Sequence, residues 1–129
     1  MGNKVLSDLK YTKEHEWAKL EGDVVSIGIT DFAQSSLGDI VFVELPDVGK
    51  SIKAGQTFGV VESIKSVSDL YAPITGTVVE KNSEAESSPE IVNQNPYAQW
   101  LVKIKVSDSK EFNSLMSPAD YEKHCSSAH

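Results

Sequence analysis

The stretch of sequence that decides the fold spans residues 58–76 and reads FGVVESIKSVSDLYAPITG. Its first part, Phe58 to Ile64, is largely apolar, and Val67 to Tyr71 alternates between two faces. Alternation with a period of two residues is typical of a β-strand that buries one face. Two such strands so close together predict a hairpin, with Lys65 and Ser66 as the two-residue loop at its tip.

The same alternation predicts further short strands on either side of this hairpin. They are expected at residues 25–29, 41–45, 77–80 and 100–106. The β-branched residues in these segments favour strands. In the second segment, Val41, Val43 and Leu45 are predicted to share the buried face.

Turn chemistry indicates the fold class. Pro46 to Gly49 and Pro73 to Gly76 each combine a fixed φ with a residue that tolerates positive φ. Strands this short and this regularly separated predict a mainly β fold of the small sandwich or barrel type. The spacing leaves no room for βαβ crossovers.

Helical signals lie at the periphery of the predicted sheets. One short helix is expected to start with Asp31 and to end at Gly38, where glycine can close it. Two more are expected near the C-terminus, one behind the capping pair Asp108 and Glu111 and one behind Ser117. The polar and acidic segment 83–90 is predicted to be a loop.

Composition and charge exclude several classes of function. The 129 residues are 40% hydrophobic and 24% charged, which is typical of a globular protein. The 19 acidic against 12 basic side chains give a formal net charge of −7, which argues against nucleic-acid and acidic-membrane partners. Cys125 is the single cysteine, so a disulfide-built fold is excluded and a reducing compartment is expected. We expect a soluble protein, cytoplasmic if bacterial, or in the mitochondrial matrix if eukaryotic with its transit peptide removed.

Two clusters could carry chemistry outside the hairpin. Glu14 and Glu16 flank His15; composition favours solvated acids beside a core Trp17, and the alternative is a polar wall that holds a cationic or amine-bearing ligand. The segment around Cys125, with its neighbouring histidines, is predicted to be a frayed tail without the spacing of a metal site.

Lys65 has two contrasting interpretations. An exposed lysine is most often only a solubilising charge. A rigidly presented amine is also what a modifying enzyme needs to attach a carrier group through an amide bond.

Several motifs together resemble the H-protein family of the glycine cleavage system. The resemblance runs from about Tyr11 to Tyr121, nearly the whole chain, and the motifs follow one another in the family's order. They are residues 11–17, 28–34, 37–46, 61–65, 71–76, 95–97, 100–104 and 121–123.

The resemblance implies a fold, a cofactor and a role. The family fold is a lipoyl-domain-like sandwich of two small sheets with short flanking helices and C-terminal helices, which would make residues 1–129 one domain with a core at about 11–121. A lysine at the hairpin tip carries lipoic acid in amide linkage, and Lys65 occupies that place. The family is a carrier without its own catalytic activity, and a monomer is expected.

The resemblance also implies a set of partners. The pyridoxal-phosphate-dependent P protein decarboxylates glycine and loads the aminomethyl group on the lipoyl arm. The T protein, an aminomethyltransferase, unloads it, and the L protein, a dihydrolipoamide dehydrogenase, reoxidises the arm. Lipoylating enzymes attach the arm itself.

Further site residues come from matching family positions. Glu16, Asp69 and Glu14 are expected at a cleft that shields the loaded arm. Glu62, Gly49 and Gly76 match positions that help the lipoylating enzyme to recognise its target. The two glycines could equally be turn residues, and Glu62 could be a charge on a strand face.

Two other functions stay open at this stage. One is an H-like carrier that donates lipoyl groups to other lipoate-dependent enzymes. The other is an unmodified interaction domain of the sandwich type.

Overall fold

The computed structural model describes residues 8–106 and 110–127. Nine strands and five short helices lie in these ranges. They are β1 (Lys10–Tyr11), β2 (Glu16–Glu21), β3 (Val24–Ile29), α1 (Asp31–Leu37), β4 (Ile40–Glu44), β5 (Ser51–Ile52), β6 (Thr57–Ser63), β7 (Val67–Tyr71), β8 (Gly76–Lys81), α2 (Ser83–Ser87), α3 (Glu90–Gln94), β9 (Val102–Val106), α4 (Lys110–Asn113) and α5 (Pro118–Ser127). The predicted mainly β class with short helices is confirmed.

The strands form two antiparallel sheets. The larger has the order β1-β2-β3-β9-β8-β5, and the smaller has the order β4-β6-β7. Apolar side chains from both sheets pack into one core, to which β3 contributes Ile27, β9 contributes Ile104 and β6 contributes Val61. A second, smaller cluster joins Tyr11 and Trp17 to Tyr121 of α5. The sandwich prediction therefore holds, and α5 packs against β1 through the second cluster.

Two strands differ from the simple alternation that the sequence predicts. In β4 a bulge between Ile40 and Phe42 shifts the register, so Val41 is 55% exposed, and Ile40 is buried in its place. A bulge inserts one residue and so changes which side chains face inward. In β3 both faces are covered, since Ser26 and Gly28 are also buried.

The helix predictions succeed in part. The helix α1 is confirmed, although Thr30 rather than Asp31 is its N-cap, and Gly38 closes it with φ 80°. Segment 83–90 is not a loop: α2 and the start of α3 occupy it. Because Ala85 of α2 is fully buried, packing stabilises a helix that its polar composition does not indicate.

The C-terminal segment is also more ordered than predicted. Pro118 begins α5, as expected, and the Ser117 hydroxyl accepts a hydrogen bond from Asp120 N. His124 and Cys125 lie within α5 rather than in a frayed tail. Asp108 of the predicted capping pair lies outside the described residues. Glu111, the other member of the pair, accepts hydrogen bonds from Thr75.

Candidate functional site

The tip of the β6–β7 hairpin presents Lys65 to solvent. Glu62 pairs with Val67, and Ser63 N donates to Ser66 O at 2.8 Å, so the two-residue loop is Ile64–Lys65, one residue earlier than predicted.

Hydrogen bonds hold this tip in one shape. The Ser63 hydroxyl accepts from the backbone N–H groups of both Lys65 and Ser66, and Ile64 N donates to Asp39 O at 3.0 Å. The lysine is therefore exposed on a rigid support.

The Lys65 side chain lies beside the end of α1. A Cβ placed on Gly38 would stand 3.2 Å from Cε and 3.7 Å from Nζ of Lys65. Asn93 fixes this helix end, because its amide group donates to Gly38 O and accepts from Ile40 N. The missing side chain at Gly38 thus leaves room for the lysine stem.

A cleft of about 240 Å³ opens beside the hairpin. Its apolar walls come from both sheets and from α1, and its polar groups are carboxyls and hydroxyls. The lining residues are Glu14, Glu16, Ile29, Ala33, Ser36, Leu37, Val61, Ser66, Ser68, Asp69 and Leu70. The structure therefore brings together the predicted Glu14, Glu16 and Asp69, next to the residue that follows Lys65.

Glu16 is buried, contrary to the solvated acid that composition favours. It is 2% exposed, and its two carboxyl oxygens accept from the Thr12 hydroxyl at 3.2 Å and from Tyr71 N at 2.7 Å. The Tyr71 bond joins β2 of the larger sheet to β7 of the smaller one. These partners satisfy a polar group that would otherwise be costly to bury.

Burial also changes the acidity of Glu16. Desolvation raises the pKa of its carboxyl to about 8 from the usual 4.5, and the nearby Glu14 carboxylate raises it further. The hydrogen bonds from Tyr71 N and Thr12 oppose the rise but do not cancel it. At neutral pH the carboxyl is therefore largely protonated, and a cation docked beside it would favour the ionised form.

A second cleft, of about 520 Å³, is lined in part by the same two glutamates. It shares Glu14 and Glu16 with the first cleft and adds Tyr71, Pro73 and Leu115 among its walls. Glu14 and Glu16 thus line both clefts.

The remaining predicted site residues lie elsewhere. Glu62 is on β6, whereas Gly49 and Gly76 belong to the region of β5 and β8 in the other sheet. Gly49 has φ 97°, and a Cβ on Gly76 would clash with the backbone oxygen of Lys105. Backbone geometry therefore requires glycine at both positions, and the roles of all three residues in recognition stay predictions.

Sequence reasoning missed several contributors to the site. Gly38 was expected only to end a helix, and the hydroxyls of Ser66 and Ser68 were not expected in a cleft. The alternation in β7 could have placed Ser68 on the inner face with Leu70. No local signal points to Tyr71 N as the partner of Glu16, because 55 residues separate the two.

Comparison with known proteins identifies the family to which the chain belongs. The family model described as glycine cleavage H-protein matches residues 9–128. The chain belongs to the glycine cleavage H-protein family. Its function is that of the H protein in the glycine cleavage system, which confirms the resemblance inferred from the motifs.

Individual relatives support the same assignment. The glycine cleavage system H protein of Carboxydothermus hydrogenoformans is 58% identical over 120 residues, covering 92% of each chain. That of Bacillus licheniformis is 60% identical over 116 residues, covering 89% of this chain and 91% of the relative. A crystal structure of a glycine cleavage system H protein from Mycobacterium marinum superposes with a TM-score of 0.85 at 39% identity, covering 92% of this chain and 97% of the other.

Two kinds of feature are absent from the described residues. Among residues 8–106 and 110–127, no helix has the length and apolar character needed to cross a membrane. Within the same part of the chain, no three side chains of His, Cys, Asp or Glu form a group able to hold a metal ion.

Proposed function

We propose that Lys65 carries lipoic acid in amide linkage to Nζ and that the chain, as one carrier domain, moves the aminomethyl group of glycine between enzymes. The observation that carries this proposal is an exposed lysine on a fixed hairpin tip, beside a cleft with carboxyl groups. When attached, the lipoyl group supplies a disulfide that accepts the aminomethyl group. The chain itself supplies the tether and the environment and is not a catalyst.

The residues around Lys65 fit such a group. The lysine stem has room over Gly38, and Ser66, next in sequence, lines the cleft. The apolar walls suit a hydrocarbon chain, and the carboxyls of Glu16 and Asp69 suit an ammonium group. Tethering also raises the effective concentration of the cargo at each partner's site.

The proposed partners are those of the family. They are the P protein, the T protein, the L protein and the lipoylating enzymes, and the chain is proposed to act as a monomer. Glu62, Gly49 and Gly76 are proposed to help lipoylating enzymes recognise the target, in addition to the backbone role of the glycines.

Two measurements test the proposal. Intact mass of the protein from its native host is expected to show one added lipoyl group. Purified P protein is expected to catalyse glycine-dependent CO₂ exchange with the lipoylated chain. An unmodified mass would favour a plain interaction domain, and a lipoylated chain that fails in exchange would favour a lipoyl donor for other enzymes.

Glu16 and Asp69 are expected to protect the cargo rather than to react with it. A charge-assisted hydrogen bond to the ammonium group contributes roughly 1.5–3 kcal/mol, so its loss is expected to speed release by roughly tenfold or more. The measurement is spontaneous release of ammonia and formaldehyde from the loaded protein without T protein, for wild type, Glu16→Gln and Asp69→Asn.

Glu44→Gln is the matched control for this experiment. It removes an exposed carboxylate on β4 outside the cleft, and its release rate is expected to equal that of wild type at equal lipoylation. If Glu16→Gln and Asp69→Asn both release the aminomethyl group at the wild-type rate, the carboxyls do not protect it. Any protection would then come from the apolar walls of the cleft.

The net charge of −7 is expected to affect association with partner enzymes. Amide formation removes the charge of Lys65 and makes the chain more negative still. If partner surfaces are basic, electrostatic steering raises the association rate, and salt screens it. The apparent KM of P protein for this chain is then expected to rise roughly threefold or more between low and high salt. A KM that does not change with ionic strength would contradict steering.

A further inference from the structure

The turn between β1 and β2 contains an unusual backbone conformation. His15 has φ 67° and is the only non-glycine residue with positive φ in the described part of the chain. Side chains disfavour this region because Cβ crowds the backbone. The turn is closed by Thr12 N donating to Glu16 O at 3.0 Å and by His15 N donating to Thr12 O at 3.1 Å.

Two helices hold the His15 ring in place. Its face stacks on Phe32 of α1 at 4.4 Å and on His124 of α5 at 5.2 Å between ring centroids. Its Nδ1 lies 2.8 Å from the Tyr121 hydroxyl, which in turn lies 2.6 Å from Oγ1 of Thr30, the N-cap of α1. The ring is therefore fixed from both helices at once.

The same turn delivers Glu16 to the cleft. Glu16 follows His15 directly, and Glu16 N donates to the Thr12 hydroxyl at 3.1 Å, while that hydroxyl donates back to the carboxyl. His15 O also accepts from Thr30 N at 3.0 Å. A change in the His15 backbone would move both the Thr12 hydroxyl and the Glu16 carboxyl.

We propose that His15 is a positioning residue, which clamps the Thr12–Glu16 turn between α1 and α5 and so holds the Glu16 carboxyl in the wall of the cleft. This inference deepens the proposed carrier function and rests on it for its consequence for the cargo. The position of the carboxyl itself can be tested without any lipoyl group.

The electrostatic surroundings agree with a clamp made by a neutral ring. Burial lowers the pKa of His15, and the adjacent His124 lowers it further. The Tyr121 hydroxyl of α5 contacts the ring, and Glu14 and Glu16 flank His15 in its own turn. His124 is itself anchored, since its Nε2 lies 3.0 Å from Lys13 O.

The first test measures where the Glu16 carboxyl lies. In His15→Gly the backbone keeps access to positive φ but the ring is gone, so the carboxyl is expected to become more exposed. Titration of the Glu16 carboxyl carbon by NMR is expected to show its pKa falling from about 8 towards 4.5. A role in stability alone would leave this pKa unchanged in the folded variant.

Two further variants make the test decisive. Tyr121→Phe removes the hydroxyl that contacts His15 but can keep the stack with Tyr11, whose ring lies 4.5 Å away, and it is expected to shift the Glu16 pKa in the same direction. Glu122→Gln changes an exposed carboxylate of α5 and is expected to leave the pKa at the wild-type value. The proposal is overturned if His15→Gly and Tyr121→Phe both fold and both keep the wild-type pKa of Glu16. If His15→Gly does not fold, a wild-type Glu16 pKa in Tyr121→Phe overturns it.

The second test measures the consequence for the cargo. Spontaneous aminomethyl release from lipoylated His15→Gly is expected to be faster than wild type by roughly threefold or more, short of the effect of losing the whole hydrogen bond. Faster release in Glu16→Gln but not in His15→Gly would overturn this inference and leave the proposed function intact. If release is unchanged even in Glu16→Gln, the proposed protection fails, and the Glu16 pKa alone decides whether His15 positions the carboxyl.

Discussion

Lys65→Arg is expected to abolish carrier activity while leaving the fold intact. The guanidinium group stays protonated and cannot form the amide that lysine forms. Because the side chain is exposed on a hairpin tip fixed by backbone and serine contacts, the change in the free energy of unfolding is expected to be within about 0.5 kcal/mol. The measurements are lipoyl incorporation by intact mass and glycine-dependent CO₂ exchange with P protein.

Lys50→Arg is the matched control for this prediction. Lys50 is exposed in the segment that leads into β5, in the other sheet, so lipoylation and exchange are expected to equal those of wild type. Lipoylation or glycine decarboxylation retained by Lys65→Arg would show that another residue carries the arm.

The stability of the protein is expected to depend on pH through Glu16. Its carboxyl has a pKa of about 8 in the folded chain, against a usual value of 4.5. Between these values the folded state binds a proton that the unfolded state does not bind, so the free energy of unfolding falls as pH rises. The contribution is fully present below pH 4.5 and is lost as pH passes through about 8.

Glu16→Gln removes this dependence and keeps the shape of the side chain. At 1.36 kcal/mol per pKa unit, the loss of stability from pH 5 to pH 9 is expected to be greater in wild type than in the variant by roughly 3 to 5 kcal/mol. Urea unfolding at a series of pH values measures the difference. Glu44→Gln removes an exposed carboxylate, and its free energy of unfolding is expected to depend on pH as in wild type. If the free energies of unfolding of wild type and Glu16→Gln depend on pH in the same way, the Glu16 carboxyl is exposed to water and the prediction is wrong.

The fold was predictable where local pattern and burial agree. The strand β7 was predicted with its observed bounds, and its alternation is confirmed by the burial of Leu70 between exposed Asp69 and Tyr71. The predicted hairpin loop lies one residue later in the sequence than the observed loop. The apolar Ile64 favours a strand, although the residue is 68% exposed.

Features set by distant partners could not be predicted from the chain alone. The bulge that exposes Val41 depends on the register of β4 against β6, and α2 depends on a site for Ala85 in the core. The burial of Glu16 depends on Tyr71 N across the two sheets. Family resemblance pointed to Glu16 as a cleft residue, but its raised pKa follows only from the packed structure.

The burial of the Glu16 carboxyl places selection for stability and selection for activity in conflict. A buried acid that must ionise to hold an ammonium group is a liability for folding at neutral and alkaline pH. Replacement by a neutral isostere would be favoured in a screen for thermostable variants and disfavoured in a screen for growth that depends on glycine breakdown. Neutral substitutions at position 16 would then be enriched in the stability screen and depleted in the growth screen. This is expected where stability and activity place opposite demands on one side chain.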